Sequence, residues 1–311
     1  MLHFGKKNVT LHYNSNYAMK RLLSIATISA ILASSCNSYN QVLKSTDIDY
    51  KYEAAKEYYA CGQYTRAYQL LEGLIVAMKG YDHGEESLFM LSMCYYNIRD
   101  YETASLYFDR YIKSYPKGTY TELARFYNGK ALYRQSPDPR LDQSPTYSAL
   151  NSLQEFLDFY PYSDKREEVN DMIYELQDRL VLKEFENAKL YYNLGDYSGN
   201  CYFGGNNYEA SIITAENALK TFPYTKMRED LYMLILRCRY QLADRSVEEK
   251  SQERFQQTID EYFGFKNEFP ESKYTKEADQ IYKHALSKSK KHGADPATTP
   301  AATDEAADAG K

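Results

Sequence analysis

The sequence predicts an all-α protein, an α-solenoid of about five helix pairs closed by one further C-terminal helix. Three observations predict it. Residues 85–118 read EESLFMLSMCYYNIRDYETASLYFDRYIKSYPKG, two apolar-periodic segments joined at Ile98-Arg99-Asp100. Leu88, Leu91, Ser92 and Tyr95 share one helical face of the first segment, and Tyr101, Ala104, Phe108 and Tyr111 share one face of the second. An aromatic-Pro-x-small ending then recurs as Tyr115-Pro116-Lys117-Gly118, Tyr160-Pro161-Tyr162-Ser163, Phe222-Pro223-Tyr224-Thr225 and Phe269-Pro270-Glu271-Ser272. Finally, the earliest unit lacks the proline but keeps Ala55, Tyr58, Gly62, Tyr64, Ala67 and Leu71 in the same register.

In residue type and spacing these positions resemble the tetratricopeptide repeat, a pair of antiparallel helices that buries its apolar face only against neighbours. The prolines lie 45, 62 and 47 residues apart, so the later repeats carry longer helices or insertions. Proline lacks an amide donor and biases the residue before it away from the helical region, which ends the second helix of each pair.

Taken in order, Asp47–Lys79 is the first repeat and Glu85–Gly118 the second, with Ala104 as the small residue where its two helices meet. Thr119 caps the third, with Glu122 in the capping-box position. Its first helix carries Leu123, Phe126, Tyr127 and Ala131, and ends before Ser136-Pro137-Asp138-Pro139. A loop through Pro145 leads to a helix over Ala149–Tyr160. Ser163 caps the fourth repeat, a long helix over Arg166–Leu194, then an insertion at Ser198–Asn206, then Tyr208–Phe222. The fifth pairs Arg228–Ala243 with Val247–Phe269, and Tyr274–Ser289 closes the stack. The folded domain thus spans 47–289. Lys290–Lys311 is Ala/Asp/Thr/Pro-rich without apolar periodicity and is expected to be disordered.

The N-terminal 35 residues read as leader and signal. From Met19 the sequence is MKRLLSIATISAILASSC, with a basic start, an apolar run too short for a ~30 Å bilayer core, then small residues before a cysteine. Leu32-Ala33-Ser34-Ser35-Cys36 resembles a lipobox, which implies signal cleavage and acylation of Cys36. The ordinary secretory signal is the alternative. Asn37 stands where an Asp would retain an enteric-type lipoprotein in the inner membrane, so the resemblance implies an outer-membrane anchor facing the periplasm. Residues 36–46 are then a lipidated tether, and acyl chains at ~0.8 kcal/mol per buried methylene make it stable.

Without the leader, 34 Lys+Arg face 43 Asp+Glu, a net charge of −9. That excludes nucleic acid as the main partner. The 34 tyrosines, against 13 Phe and no Trp, suit amphipathic packing with the hydroxyl at the edge.

No catalytic constellation emerges. His83, His284 and His292 are scattered with no Cys or carboxylate at ligand spacing, and CxxC, P-loop, GxGxxG and GxSxG motifs are absent. Glu85-Glu86 and Glu248-Glu249 read as solvated helix surface rather than acid/base pairs. No cofactor or metal is expected, and no enzyme. Cys61, Cys94, Cys201 and Cys238 allow three full disulfide pairings in an oxidising compartment, while Cys94 and Cys238 suit buried thiols.

A lipobox followed by five such repeats with these Tyr/Phe-Pro endings, over about Cys36–Ser289, resembles the BamD family, the lipoproteins of the outer-membrane β-barrel assembly machine. The insertion around Cys201 and the C-terminal tail depart from that pattern. The resemblance implies a non-catalytic scaffold: its N-terminal repeats would receive unfolded barrel proteins. Its C-terminal repeats would dock on the periplasmic domains of BamA, beside other lipoproteins of the machine. Counted from Ala55 and Ser92 as packing positions, the exposed wall of the first helices is Tyr52, Lys56 and Tyr59, then Phe89, Met93 and Tyr96. An aromatic groove with one lysine suits an extended peptide ending in an aromatic residue and a carboxylate. The competing reading packs several of these rings against the next helix. Two other classes fit the same outline. A SusD-like glycan binder shares the repeats and the anchor, although that family is longer and the missing Trp removes the usual sugar platform. Another envelope tetratricopeptide adaptor is the second.

Overall fold

The computed structural model describes residues 39–78, 83–195, 197 and 206–292. Cys36, most of the 198–206 insertion and the tail beyond His292 lie outside them. The described residues form twelve helices and no strand, an all-α repeat arrangement as expected. They fall into two compact units, one ending at Val169 apart from residues 137–144, the other built of those residues and Asn170 onward.

The first unit contains α1 (39–44), α2 (Ile48–Ala60), α3 (Tyr64–Ala77), α4 (Gly84–Asn97), α5 (Tyr101–Ser114), α6 (Thr121–Gln135) and, from its second residue on, α7 (Ser144–Phe159). Aspartates start two of them: the Asp47 side chain accepts from Tyr50 N and that of Asp100 from Thr103 N, each at 3.1 Å. The small residues that the repeat pattern demands are inaccessible. Ala55, Ala67, Ser92 and Ala104 are all 0% exposed, and Leu71, Leu91, Phe108 and Tyr111 fill the space beside them. Val42 of α1 joins this core and the Tyr39 ring meets Tyr58 edge-on, so residues 39–44 of the expected tether pack on the first repeat.

The turns inside the first two repeats share one geometry. Gly62 follows α2 at φ 72° and Arg99 follows α4 at φ 68°. In each, two successive amides return to the helix: Gly62 N to Tyr59 O and Gln63 N to Tyr58 O, then Arg99 N to Tyr96 O and Asp100 N to Tyr95 O.

The second unit holds α8 (Arg166–Leu194), whose first turn belongs to the first unit, with α9 (Asn207–Thr221), α10 (Arg228–Asp244), α11 (Glu248–Glu268) and α12 (Thr275–His292). Leu231, Leu234, Cys238 and Ala215 make one part of its core, and Met233, Leu236, Phe265 and Ala278 another. Arg237 and Arg239 of α10 bridge to Glu277, and to Glu216 and Glu261.

The aromatic-proline turns do more than end helices. A carboxylate on the first helix of the same repeat grips each of them. Glu85 accepts from Thr119 N at 2.5 Å, Glu122 from Ser163 Oγ at 2.6 Å, Asp178 from Thr225 Oγ1 at 3.0 Å and Glu229 from Ser272 Oγ. This accounts for the small residue of the motif. Ser and Thr supply the hydroxyl, whereas a Cβ on Gly118 would lie 2.5 Å from Glu85 Oε1.

Three local expectations change. Thr119 and Glu122 do not form a capping box: α6 begins at Thr121, because both residues are engaged in these grips. Glu85 and Glu86 are half-buried and engaged rather than free surface charge; they accept from the Tyr111 and Tyr52 hydroxyls at 2.5 Å. Helix α7 starts at Ser144, five residues before Ala149, since Pro145 is compatible with a first helical turn. The remaining boundaries fall within a few residues of expectation.

Candidate functional site

Helices α2 and α4 present the expected wall, and the six residues assigned to it meet different fates. Tyr52 is not on the surface. It is 1% exposed, stacked on His83 at 4.5 Å, with its hydroxyl on Glu86. The reason is a partner in the next repeat: a carboxylate 34 residues on satisfies the phenol and lets the ring turn inward. Phe89 is a packing ring too, stacked on Tyr120 at 4.7 Å and edge-on to Phe108 and Tyr111. Met93 is half-buried against the same core. Lys56 lies 3.5 Å from Glu53 and 5.1 Å from the centroid of the Tyr52 ring. Both partners of that ion pair are exposed, so it holds the lysine weakly.

Tyr59 and Tyr96 repeat one arrangement. Tyr59 meets Tyr64, the first residue of α3, edge-to-face at 5.6 Å and 70°. Tyr96 meets Tyr101, the first residue of α5, at 5.5 Å and 65°. Each ring is therefore fixed by the tyrosine that opens its own second helix, a geometry favoured by the ring quadrupoles. Tyr127 of α6 extends the row: its ring lies 5.1 Å from that of Tyr96. Burial pushes the Tyr59 phenol up to about 12. Burial raises Tyr96 as well, opposed by the positive charges of Lys130 and Arg134.

Those two cations belong to α6 and stand outside the six expected positions. Lys130 is paired with Glu168 at 2.6 Å, while Arg134 is exposed and has no ion pair among the described residues. The sequence carries part of the signal. Tyr127, Lys130 and Arg134 lie at helical spacing along α6, on the face that continues the Tyr59–Tyr96 row. Counting the 37-residue interval from Tyr59 to Tyr96 onward leads instead to Tyr133, because the third repeat is offset from the first two.

Cys94 and Cys238 are buried free thiols, pushed up by burial to about 12 and about 11. Cys238 Sγ donates to Ser211 Oγ at 3.1 Å. Cys61 is exposed and free.

A family model described as an outer membrane lipoprotein, YfiO, matches residues 45–200. No curated protein matches the chain. Among solved structures, a crystal structure of nearly identical tetratricopeptide-like repeats from a Podospora anserina kinesin light chain is similar at a TM-score of 0.29 with 13% identity. That match covers 71% of this chain and 95% of that one. So distant a likeness carries no argument, and the repeat architecture rests on the helices above.

Proposed function

This chain belongs to the YfiO outer membrane lipoprotein family, the BamD family, and from that premise we propose that it is a non-catalytic scaffold for assembling β-barrel proteins. It is anchored through an acylated Cys36 and faces the periplasm. Its first repeats receive the unfolded barrel chain, and its C-terminal repeats dock on the periplasmic domains of BamA beside the machine's other lipoproteins.

The observation that carries the substrate reading is the row Tyr59, Tyr96 and Tyr127 with Lys130 and Arg134 beside it. Fixed rings offer apolar area at low entropic cost, and cations next to them suit a chain end with an aromatic residue and a carboxylate. Ordering a flexible peptide opposes binding, so affinity on the order of micromolar or weaker is expected.

Crosslinking of the purified protein to a barrel C-terminal peptide, beside a scrambled version, tests this. The native peptide should be captured preferentially. Replacing Tyr59 and Tyr96 by alanine should abolish the preference and leave BamA association intact. Equal capture of both peptides rejects specific recognition, and loss of BamA binding in the double variant shows that the two surfaces are wrongly assigned.

A further inference from the structure

Helix α1 ties the expected anchor to one face of the first repeat. Its first residue, Tyr39, is held from three sides. The hydroxyl donates to Gln69 Oε1 at 2.5 Å, the ring meets Tyr58 edge-on at 5.6 Å, and the Arg66 guanidinium lies 5.4 Å from the ring centroid. Val42, one turn on, is 5% exposed in the core. Cys36 stands three residues before Tyr39. Consecutive Cα atoms are about 3.8 Å apart, so whatever path the chain takes, Cys36 Cα stays within about 11 Å of Tyr39 Cα. With the acyl chains of Cys36 in a bilayer, the surface around α1 stands no further than that from the lipid headgroups.

The surface beside α1 is suited to lie there. The bond to Gln69 places α1 alongside α3, whose exposed residues form one stripe: Thr65, Gln69, Glu72, Gly73, Val76 and Ala77. The single charge of that stripe, Glu72, accepts from the Tyr95 hydroxyl. Val76 is 74% exposed, and Leu43 of α1 is 41% exposed. The other second helices of the first unit turn charge outward, Glu102, Arg110 and Lys113 on α5, Glu155 and Asp158 on α7. Pressing such groups against lipid costs desolvation, which the α1–α3 face avoids. Lys44, next to Leu43, is exposed and has no ion pair among the described residues. Its apolar stem can follow the surface while its charge reaches a lipid phosphate.

We propose that the α1–α3 face of the first repeat rests on the phospholipid leaflet that holds the anchor, with Leu43 and Val76 at the level of the headgroups. This rests on the acylation of Cys36 proposed above and adds to it an orientation. A long free tether would let the repeats tumble beneath the membrane; three residues ahead of a packed helix do not. The α2 wall is then turned away from the lipid and stays open to a substrate. Helix α1 covers α2 on its Tyr58 side, and Lys56 lies about 160° around the helix from Tyr58.

The test uses the full-length lipoprotein reconstituted into phosphatidylethanolamine–phosphatidylglycerol vesicles that contain a nitroxide-labelled lipid. Cys61 and Cys201 are replaced by serine, while the buried thiols of Cys94 and Cys238 stay unlabelled. A nitrobenzoxadiazole fluorophore attached to Val76→Cys should shift its emission to the blue and lose most of its intensity to the nitroxide. The same fluorophore on Lys56→Cys should show neither change. Neither residue belongs to the core, so both variants keep the fold. Flotation with the vesicles reports the anchor separately, since wild type should float and Cys36→Ser should not. A floating protein quenched equally at the two positions, or more strongly at Lys56, overturns the orientation and leaves the anchor standing. A wild type that fails to float overturns both.

Discussion

Ser163 Oγ donates to Glu122 Oε1 at 2.6 Å across 41 residues of chain, tying the turn that ends one repeat to the first helix of that same repeat. Thr225 with Asp178 and Ser272 with Glu229 repeat the bond. A hydrogen bond to a charged acceptor contributes about 1.5–3 kcal/mol, and Ser163 is half-buried, so its removal should be felt. Ser163→Ala is expected to lower unfolding free energy by about 1–2 kcal/mol with the helical content unchanged. Urea unfolding followed by far-ultraviolet circular dichroism measures this, and a change near zero would mean the bond contributes nothing net.

Gly62 and Arg99 make a matched experiment. Both occupy the left-handed region, at φ 72° and 68°, which costs an ordinary L-residue about 1–2 kcal/mol. Gly62→Ala should destabilise by about 1 kcal/mol even though no atom lies within 4 Å of the added Cβ. Arg99→Gly should stabilise by a similar amount, about 1 kcal/mol. Opposite signs in the two denaturation midpoints are the expected outcome; shifts of the same sign would refute the conformational explanation.

Stability should fall steeply in alkali. Tyr59 and Tyr262 are each held up at about 12 in the folded protein, above the ordinary phenol value of about 10. Between those values the unfolded chain has lost protons that the folded chain retains. The unfolded state is thus favoured progressively as pH rises from about 10 to about 12, and this contribution is intact below about pH 10. Urea midpoints measured at a series of pH values across that window should decline. Tyr59→Phe should make the decline shallower, and an unchanged slope in the variant would show that Tyr59 does not carry it.

Acylation is expected at Cys36, from the Leu32–Cys36 segment. A clickable fatty acid fed to cells should label the wild-type protein and not Cys36→Ser, with the wild type recovered in the outer-membrane fraction. Equal labelling of the two would remove the lipobox reading.

Most of the architecture is legible in the residues themselves. Helix α8 runs over Arg166–Leu194 as expected, and the aromatic-proline turns end α5, α7, α9 and α11 where proline chemistry requires. Ala55, Ser92 and Ala104 are buried as the repeat pattern demands. These features follow from local rules, namely backbone restriction by proline and the periodicity of apolar residues along one helix, and a local rule is written into adjacent residues.

The site is legible only in outline. Helical spacing indicates which residues share a face; it does not say which ring on that face turns inward. Tyr52 and Tyr59 are two turns apart on α2, yet Tyr52 is buried on Glu86 and Tyr59 stays at the edge against Tyr64. The difference lies in a carboxylate on the following helix pair, which spacing along α2 cannot reveal. Glu85 and Glu86 likewise look like solvated charge until Tyr111, Tyr52 and the Thr119 amide are brought to them. Repeat number, the helix ends set by proline and the small contact residues were therefore determined by the sequence alone. Which tyrosines are surface, which carboxylates are structural, and that Lys130 and Arg134 stand beside Tyr96 were decided by tertiary packing, because each depends on a partner one repeat away whose position is set by how neighbouring helices rotate against each other.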